Sequence, residues 1–226
     1  EITPTWSMAD GTAGTIDAGG LFTATTVVGD YPGAVKAVAG GEEAYADVTV
    51  TAGALDRIEV TPDVVELAPG ETQQFTAMGY DAFGNVVEIT PTWSVEFVAA
   101  GSIDATGLFT AAVTADEYPG AVKAVAGGEE GYADVTVTPE ALDRIEVAPP
   151  SVALTPGETQ QFAATGYDVY GNVVEITPTW SMADGTAGTI DAEGLFTATT
   201  VVGDYPGTVK VVASGEEDYA DVTVEA

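Results

Sequence analysis

EITPTWS at Glu88–Ser94 recurs at Glu1–Ser7 and Glu175–Ser181, and GLFTA at Gly107–Ala111 recurs at Gly20–Ala24 and Gly194–Ala198. DVTV stands at Asp47–Val50, Asp134–Val137 and Asp221–Val224, and ALDRIEV at Ala54–Val60 and Ala141–Val147. Each string returns after 87 residues. Solenoid repeats of about 20–50 residues cannot bury a core alone. A period of 87 residues is long enough for a small self-contained domain. The chain is therefore expected to be a string of domains: a partial repeat over residues 1–53, then full repeats over 54–140 and 141–226.

The copies are not equally related. Over 50 shared residues the first and third differ at five positions, the first and second at fourteen. The larger set clusters at Met8–Thr12 and Thr25–Asp30, which correspond to Val95–Ala99 and Ala112–Glu117. Two repeat types alternate, and the variable patches behave like loops on a fixed frame.

Around these strings, proline and glycine punctuate the chain every few residues. In the second repeat Leu55–Val60, Val64–Leu67, Gln73–Tyr80, Gly107–Ala111, Ala121–Ala126 and Ala133–Val137 read as short strands. Within Gln73–Tyr80, Phe75, Ala77 and Gly79 share one face. Pro69-Gly70, Asp81–Asn85 and Gly127–Glu130 read as turns. Many short strands rich in Thr and Val imply an all-β fold of tandem immunoglobulin-like two-sheet sandwiches, two full and one lacking its first strands. Trp6, Trp93 and Trp180 are expected core anchors. Tyr31, Tyr118 and Tyr205, each before Pro-Gly, are loosely like the tyrosine corner of such sandwiches, whose hydroxyl satisfies a nearby backbone group.

The motifs of Leu55–Val137 (LDRIEV, LAPGETQQFTA, GSID, GLFTA, YPGAVKAVAGG and YADVTV) together resemble the bacterial immunoglobulin-like group 2 repeats. The resemblance covers both full copies and the rest of the first. It implies a spacer role in prokaryotic surface proteins such as adhesin stalks and surface layers, with extracellular, cell-surface localisation.

Composition narrows the chemistry. The chain has no cysteine and no histidine, which removes thiol catalysis, disulfides and histidine acid–base chemistry. Net charge is −31, and all five basic residues sit at two repeat positions: Lys36, Lys123 and Lys210, then Arg57 and Arg144. Such a surface repels nucleic acid, and no apolar run is long enough to insert in a membrane. The partners expected are neighbouring copies of the same or similar repeats. Carboxylates such as Asp104, Glu129, Glu130 and Asp134 read as a solvated face rather than an acid–base pair, because near-copies occur everywhere. The chain is therefore read as a non-enzymatic structural component of an extracellular filament, surface layer or stalk built from such repeats.

Calcium is the one cofactor considered, since it takes six to eight oxygens from acidic loops. The candidate ligands are Asp81, Asn85 and Glu88, repeated as Asp168, Asn172 and Glu175; the alternative is a plain turn. The domain junction with Asp56, Glu140 and Asp143, and the acid pairs at Glu42-Glu43, Glu129-Glu130 and Glu216-Glu217, are the other carboxylate-rich places. A competing function is that of an adhesin or carbohydrate-binding module using the variable loops. Val95 and Phe97 are its candidate contacts, as Val95-Glu-Phe-Val98 is apolar for a loop.

Residues 1–53 lack the strands corresponding to Leu55–Val60, Val64–Leu67 and Gln73–Tyr80. An apolar face around Trp6, Leu21 and Phe22 is then left wet, at roughly 1.5–3 kcal/mol per large side chain. Two accounts stand open: a boundary falling inside a longer array, or completion by strands of another chain.

Overall fold

The computed structural model describes residues 3–226; Glu1 and Ile2, which open the first EITPTWS string, lie outside them. The described chain is all strand and turn, and no helix is long and apolar enough to cross a membrane.

The first set of strands is β1 (Thr5–Met8), β2 (Gly14–Ile16), β3 (Phe22–Ala24), β4 (Gly29–Ala39) and β5 (Glu42–Val50). The second begins with β6 (Leu55–Thr61), β7 (Val64–Leu67), β8 (Thr72–Gln74), β9 (Thr76–Asp81) and β10 (Val86–Val87). It continues with β11 (Thr92–Val95), β12 (Gly101–Ile103), β13 (Leu108–Ala111), β14 (Asp116–Ala126) and β15 (Glu129–Val137). The third repeats this order. Its strands are β16 (Arg144–Ala148), β17 (Ser151–Leu154), β18 (Thr159–Gln161), β19 (Ala163–Tyr167), β20 (Val173–Val174), β21 (Thr179–Met182), β22 (Gly188–Ile190), β23 (Leu195–Ala198), β24 (Gly203–Ala213) and β25 (Glu216–Val224).

In the second set, β11-β14-β15-β7 form one layer, and β10-β9-β6 with β12-β13-β8 form the other. Strands β8 and β9 are the two halves of what sequence reads as one strand, Gln73–Tyr80. The structure divides it at Phe75, where the chain changes partner from β13 to β6. The change is tolerated because Phe75 itself is buried, with its N–H on the Gly107 carbonyl and its carbonyl receiving the Gln74 amide. Gly107 sits at φ +85°, where any side chain would strike the Phe75 carbonyl and the Trp93 ring.

The core lies between the layers. Phe75 and Phe109 meet edge to face at 6.1 Å, over Val122, Val135 and Val137. Phe162 and Phe196 repeat this at 6.2 Å in the third set. Trp93 and Trp180 pack against these cores and stay half-buried. Alternation along β15 is what puts Ala133, Val135 and Val137 inside and Asp134 outside.

Strand β7 pairs with β15 in parallel, Val64 to Asp134 through Leu67 to Val137, and β17 pairs with β25 likewise. Long strand β14 contains Tyr118-Pro-Gly as a bulge, a register shift between Tyr118 and Val122. Sequence starts this strand only at Ala121, because proline and glycine look like an end. The bulge survives inside it because Asp134 receives the Gly120 N–H at 2.7 Å. The tyrosine hydroxyl donates to a backbone carbonyl four residues back: Tyr31 to Val27, Tyr118 to Thr114, Tyr205 to Val201.

The second and third sandwiches differ at one seam. Gly131 of β15 is buried against Ile58 of β6, with no room for a side chain. Its counterpart Asp218 of β25 accepts the Val147 N–H of β16 at 2.7 Å. In the first set, the face covered elsewhere by β6–β9 stays open. Leu21 is 71% exposed, Phe22 is half-buried where Phe109 is fully buried, and Ala44 and Ala46 of β5 are exposed.

Truncating Phe109 to alanine is expected to lower the stability of the second sandwich by about 3–5 kcal/mol. Denaturant unfolding followed by circular dichroism measures it, with the third sandwich unfolding as in the parent.

Candidate functional site

Among the described residues the most heavily hydrogen-bonded side chains lie where one sandwich meets the next. Strand β9 ends at Asp81, and the turn Asp81-Ala-Phe-Gly-Asn85 returns the chain into β10. Asp81 Oδ1 accepts the Phe83 and Asn85 N–H groups, both at 2.9 Å. Gly84 takes φ +85° and lies in open space, so glycine serves the turn's backbone rather than its packing. Asp81 Oδ2 accepts the Asn85 side-chain amide and the Gly53 N–H, both at 2.8 Å. Gly53 belongs to the connection between β5 and β6.

Asn85 then reaches across the junction. Its amide donates to the Thr26 carbonyl at 2.8 Å, and its Oδ1 accepts the Val28 N–H at 3.3 Å. Both partners lie in the β3–β4 loop of the preceding set. The second junction repeats every bond. Asp168 accepts N–H groups from Tyr170, Asn172 and Glu140 and the Asn172 side-chain amide, at 2.8–3.0 Å. Asn172 donates to the Val113 carbonyl and accepts the Ala115 N–H, both at 2.8 Å.

The electrostatics follow from these donors. Asp81 is 1% exposed, and a buried carboxylate without partners is costly. The Asn85 amide first, then the Gly53 N–H, hold its pKa down to about 2. For Asp168 burial pushes the pKa up, but Asn172, Glu140 and Tyr170 together bring it below the usual carboxylate range. Both aspartates thus stay ionised as hydrogen-bond acceptors.

The calcium expectation named Asp81, Asn85, Glu88, Asp168, Asn172 and Glu175. The structure brings each Asp and Asn together, and their oxygens accept N–H donors. Glu88 and Glu175 are exposed and stand apart from this network. Among the described residues no group of three or more acidic, His or Cys side chains is arranged to hold a metal. The junction acids Asp56 and Asp143 do not join the network either; Asp143 contributes its N–H to the Tyr167 carbonyl. The acid pairs serve lysine instead: Glu43, Glu130 and Glu217 pair with Lys36, Lys123 and Lys210, each ammonium lying over a tyrosine ring. Arg57 and Arg144 pair with Glu59 and Glu146 and stack on Tyr80 and Tyr167.

Of the two loop contacts expected, Val95 lies in β11 with its side chain against the core. Phe97 is 44% exposed and rests over Tyr118 at 6.2 Å, with Val98 beside it 85% exposed. Open crevices flank the junctions. One of about 570 Å³ is lined by Val28, Val50, Ala52, Val86 and Glu88, and one of about 460 Å³ by Ala115, Glu117, Val137, Pro139 and Val173.

No family model matches the chain, and the group 2 likeness rests on its motifs. Over 206 residues the chain is 30% identical to Ice-binding protein 1 of Shewanella frigidimarina (strain NCIMB 400), covering 87% of this chain and 22% of that protein. The chain thus spans about a fifth of the length of that curated relative. Among solved structures, the FdeC adhesin of Escherichia coli aligns with 100% of this chain and 86% of its own, at 18% identity and a TM-score of 0.45. The S-layer protein rSbsC(31-844) aligns with 100% of this chain and 35% of its own, at 17% identity and a TM-score of 0.42.

Replacing Asn172 by alanine is expected to cost the third sandwich about 1–3 kcal/mol, because it strips a donor from buried Asp168. Denaturant titration reads the loss. At matched ionic strength calcium should raise the unfolding midpoint of the parent no more than magnesium does. The depressed pKa of Asp81 contributes stability that is complete above its unfolded value near 3.8 and disappears as pH falls toward 2. The stability difference between the parent and Asp81→Asn should therefore shrink over that window, as measured by thermal unfolding at stepped pH.

Proposed function

We propose that this chain is a length of non-enzymatic mechanical spacer in an extracellular, cell-surface protein. Its units are immunoglobulin-like domains of the group 2 kind at residues 1–53, 54–140 and 141–226, and its partners are neighbouring repeats of the same sort. The observation that carries the reading is the direction of the strands that take tension. In each complete sandwich the chain enters through β6 or β16, passes directly into β7 or β17, and leaves through β15 or β25, and β7 and β17 are parallel neighbours of those last strands. Pulling the ends apart slides these strands in opposite senses, so their hydrogen bonds bear force together rather than one after another. The repeated Asp–Asn junction supports the same reading, since it transmits orientation as well as tension. A match to about a fifth of a longer protein also suits a segment that supplies reach.

Single-molecule extension of the full chain tests this. The expected trace has two unfolding steps, each releasing roughly 300 Å, the contour of 87 residues at ~3.5 Å apiece. Loss of resistance before either step would overturn the proposal.

A second reading, an adhesin or carbohydrate-binding module, is favoured by one observation: Phe97 and Val98 stand exposed in a loop whose other copies are Asp10-Gly11 and Asp184-Gly185. A glycan array and an ice-adsorption assay on the full chain separate the two. The spacer reading expects neither to register. Binding abolished by Phe97→Ala would establish the second reading.

A further inference from the structure

The hydrogen bonds that the asparagine of the following sandwich makes across the junction go to the main chain of the one before it. The two receiving loops differ in sequence, Thr25-Thr-Val-Val-Gly-Asp30 against Ala112-Val-Thr-Ala-Asp-Glu117. Asn85 and Asn172 nevertheless make the same pair of bonds, to a carbonyl and to the N–H two residues on. The residue between is fixed from its own side: Tyr31 holds the Val27 carbonyl and Tyr118 holds that of Thr114. Each sandwich thus presents a preset backbone fork, and the next supplies the asparagine that fills it.

The third sandwich carries the same fork. Its loop Thr199-Thr-Val-Val-Gly-Asp204 is identical to that of the first set, and Tyr205 holds the Val201 carbonyl at 3.0 Å. Thr200 and Val202, the counterparts of Thr26 and Val28, are exposed. Strand β25 ends at Val224, so Glu225-Ala226 run where Thr51-Ala52 run at the first junction.

We propose that the Thr200–Val202 fork is a docking surface for a further immunoglobulin-like sandwich, joined through a short linker and carrying the Asp-x-x-Gly-Asn turn. The occupant is specified by chemistry on both sides. It needs an asparagine amide offering one donor and one acceptor, an aspartate that holds the amide, and a linker N–H closing on the same carboxylate. Because the fork is main chain, either repeat type can precede any sandwich that bears the turn. The proposal rests on the spacer reading for its use; its own test concerns geometry and leaves the extension trace untouched.

The test appends a copy of residues 53–140 after Ala226. The chain lacks cysteine, so one introduced cysteine in each sandwich flanking the new junction takes a spin label for distance measurement. A narrow distance distribution is expected, as narrow as that across the junction at Asn85. Changing the appended copy's Asn85→Ala should broaden it while the third sandwich keeps its unfolding midpoint and the appended copy still unfolds cooperatively, at a midpoint lowered no more than Asn172→Ala lowers that of the third sandwich. Exchanging Thr199–Asp204 for the Ala112–Glu117 sequence should leave it narrow. A parent distribution as broad as that of the alanine variant would overturn the proposal. So would broadening by the loop exchange as large as that from Asn85→Ala, because side chains would then be what is read.

Discussion

A buried carboxylate must be surrounded by donors, and that requirement organises this chain. Asp81 and Asp168 are taken out of water at the end of a strand, and each then needs four N–H groups aimed at two oxygens. Two donors come from the backbone of the following turn, which fixes the turn. One comes from the linker, which fixes where the preceding sandwich ends. The fourth is an asparagine amide whose remaining hydrogen and oxygen can only point backwards across the junction. A single desolvated charge thereby couples local backbone, linker and neighbour. The arrangement also explains why the acidic character of the chain does not loosen it here. These two aspartates are neutralised by dipoles, while the other described acids are exposed or half-buried.

The sheets themselves were readable because their determinants are local. Period-two alternation in YADVTV and GLFTA places the apolar side chains inward, and each string is bounded by glycine or a turn. Two features escaped this logic for a shared reason. Phe75 divides one apparent strand because its partners, Gly107 and the strands on either side, are far away in sequence. Tyr118-Pro-Gly sits inside a strand because a distant aspartate, Asp134, receives the bulged N–H. The function of Asp81 and Asn85 was hidden more deeply. Their spacing announces a turn, but the groups they grip lie 57 and 59 residues away in loops that share no motif. Recognition of main chain leaves no trace in side-chain sequence. The one available signal was that both complete repeats retain Asp-x-x-Gly-Asn while the two residues inside it change from Ala-Phe to Val-Tyr.

The five cations show the same economy. Each basic side chain is engaged within its own sandwich, by a carboxylate two or more residues away and an aromatic face. Exposed pairs of this kind contribute little individually, about 0–1 kcal/mol. What remains outside is a surface dominated by one sign, which opposes association of like-charged surfaces and favours solubility.

The seam between the first and last strands of each complete sandwich carries a further consequence, for what happens after forced opening. Neighbouring units of near-identical sequence are prone to exchange strands as they refold. Here adjacent units are of different type, and the seam distinguishes them. A final strand from the third unit would bring Asp218 against Ile58, where only Gly131 fits. In the reverse exchange, Gly131 could not supply the carboxylate that receives the Val147 N–H. Each unit is thus biased to recover its own strand, so the unfolded chain can return to its original connectivity rather than tangle one unit with its neighbour.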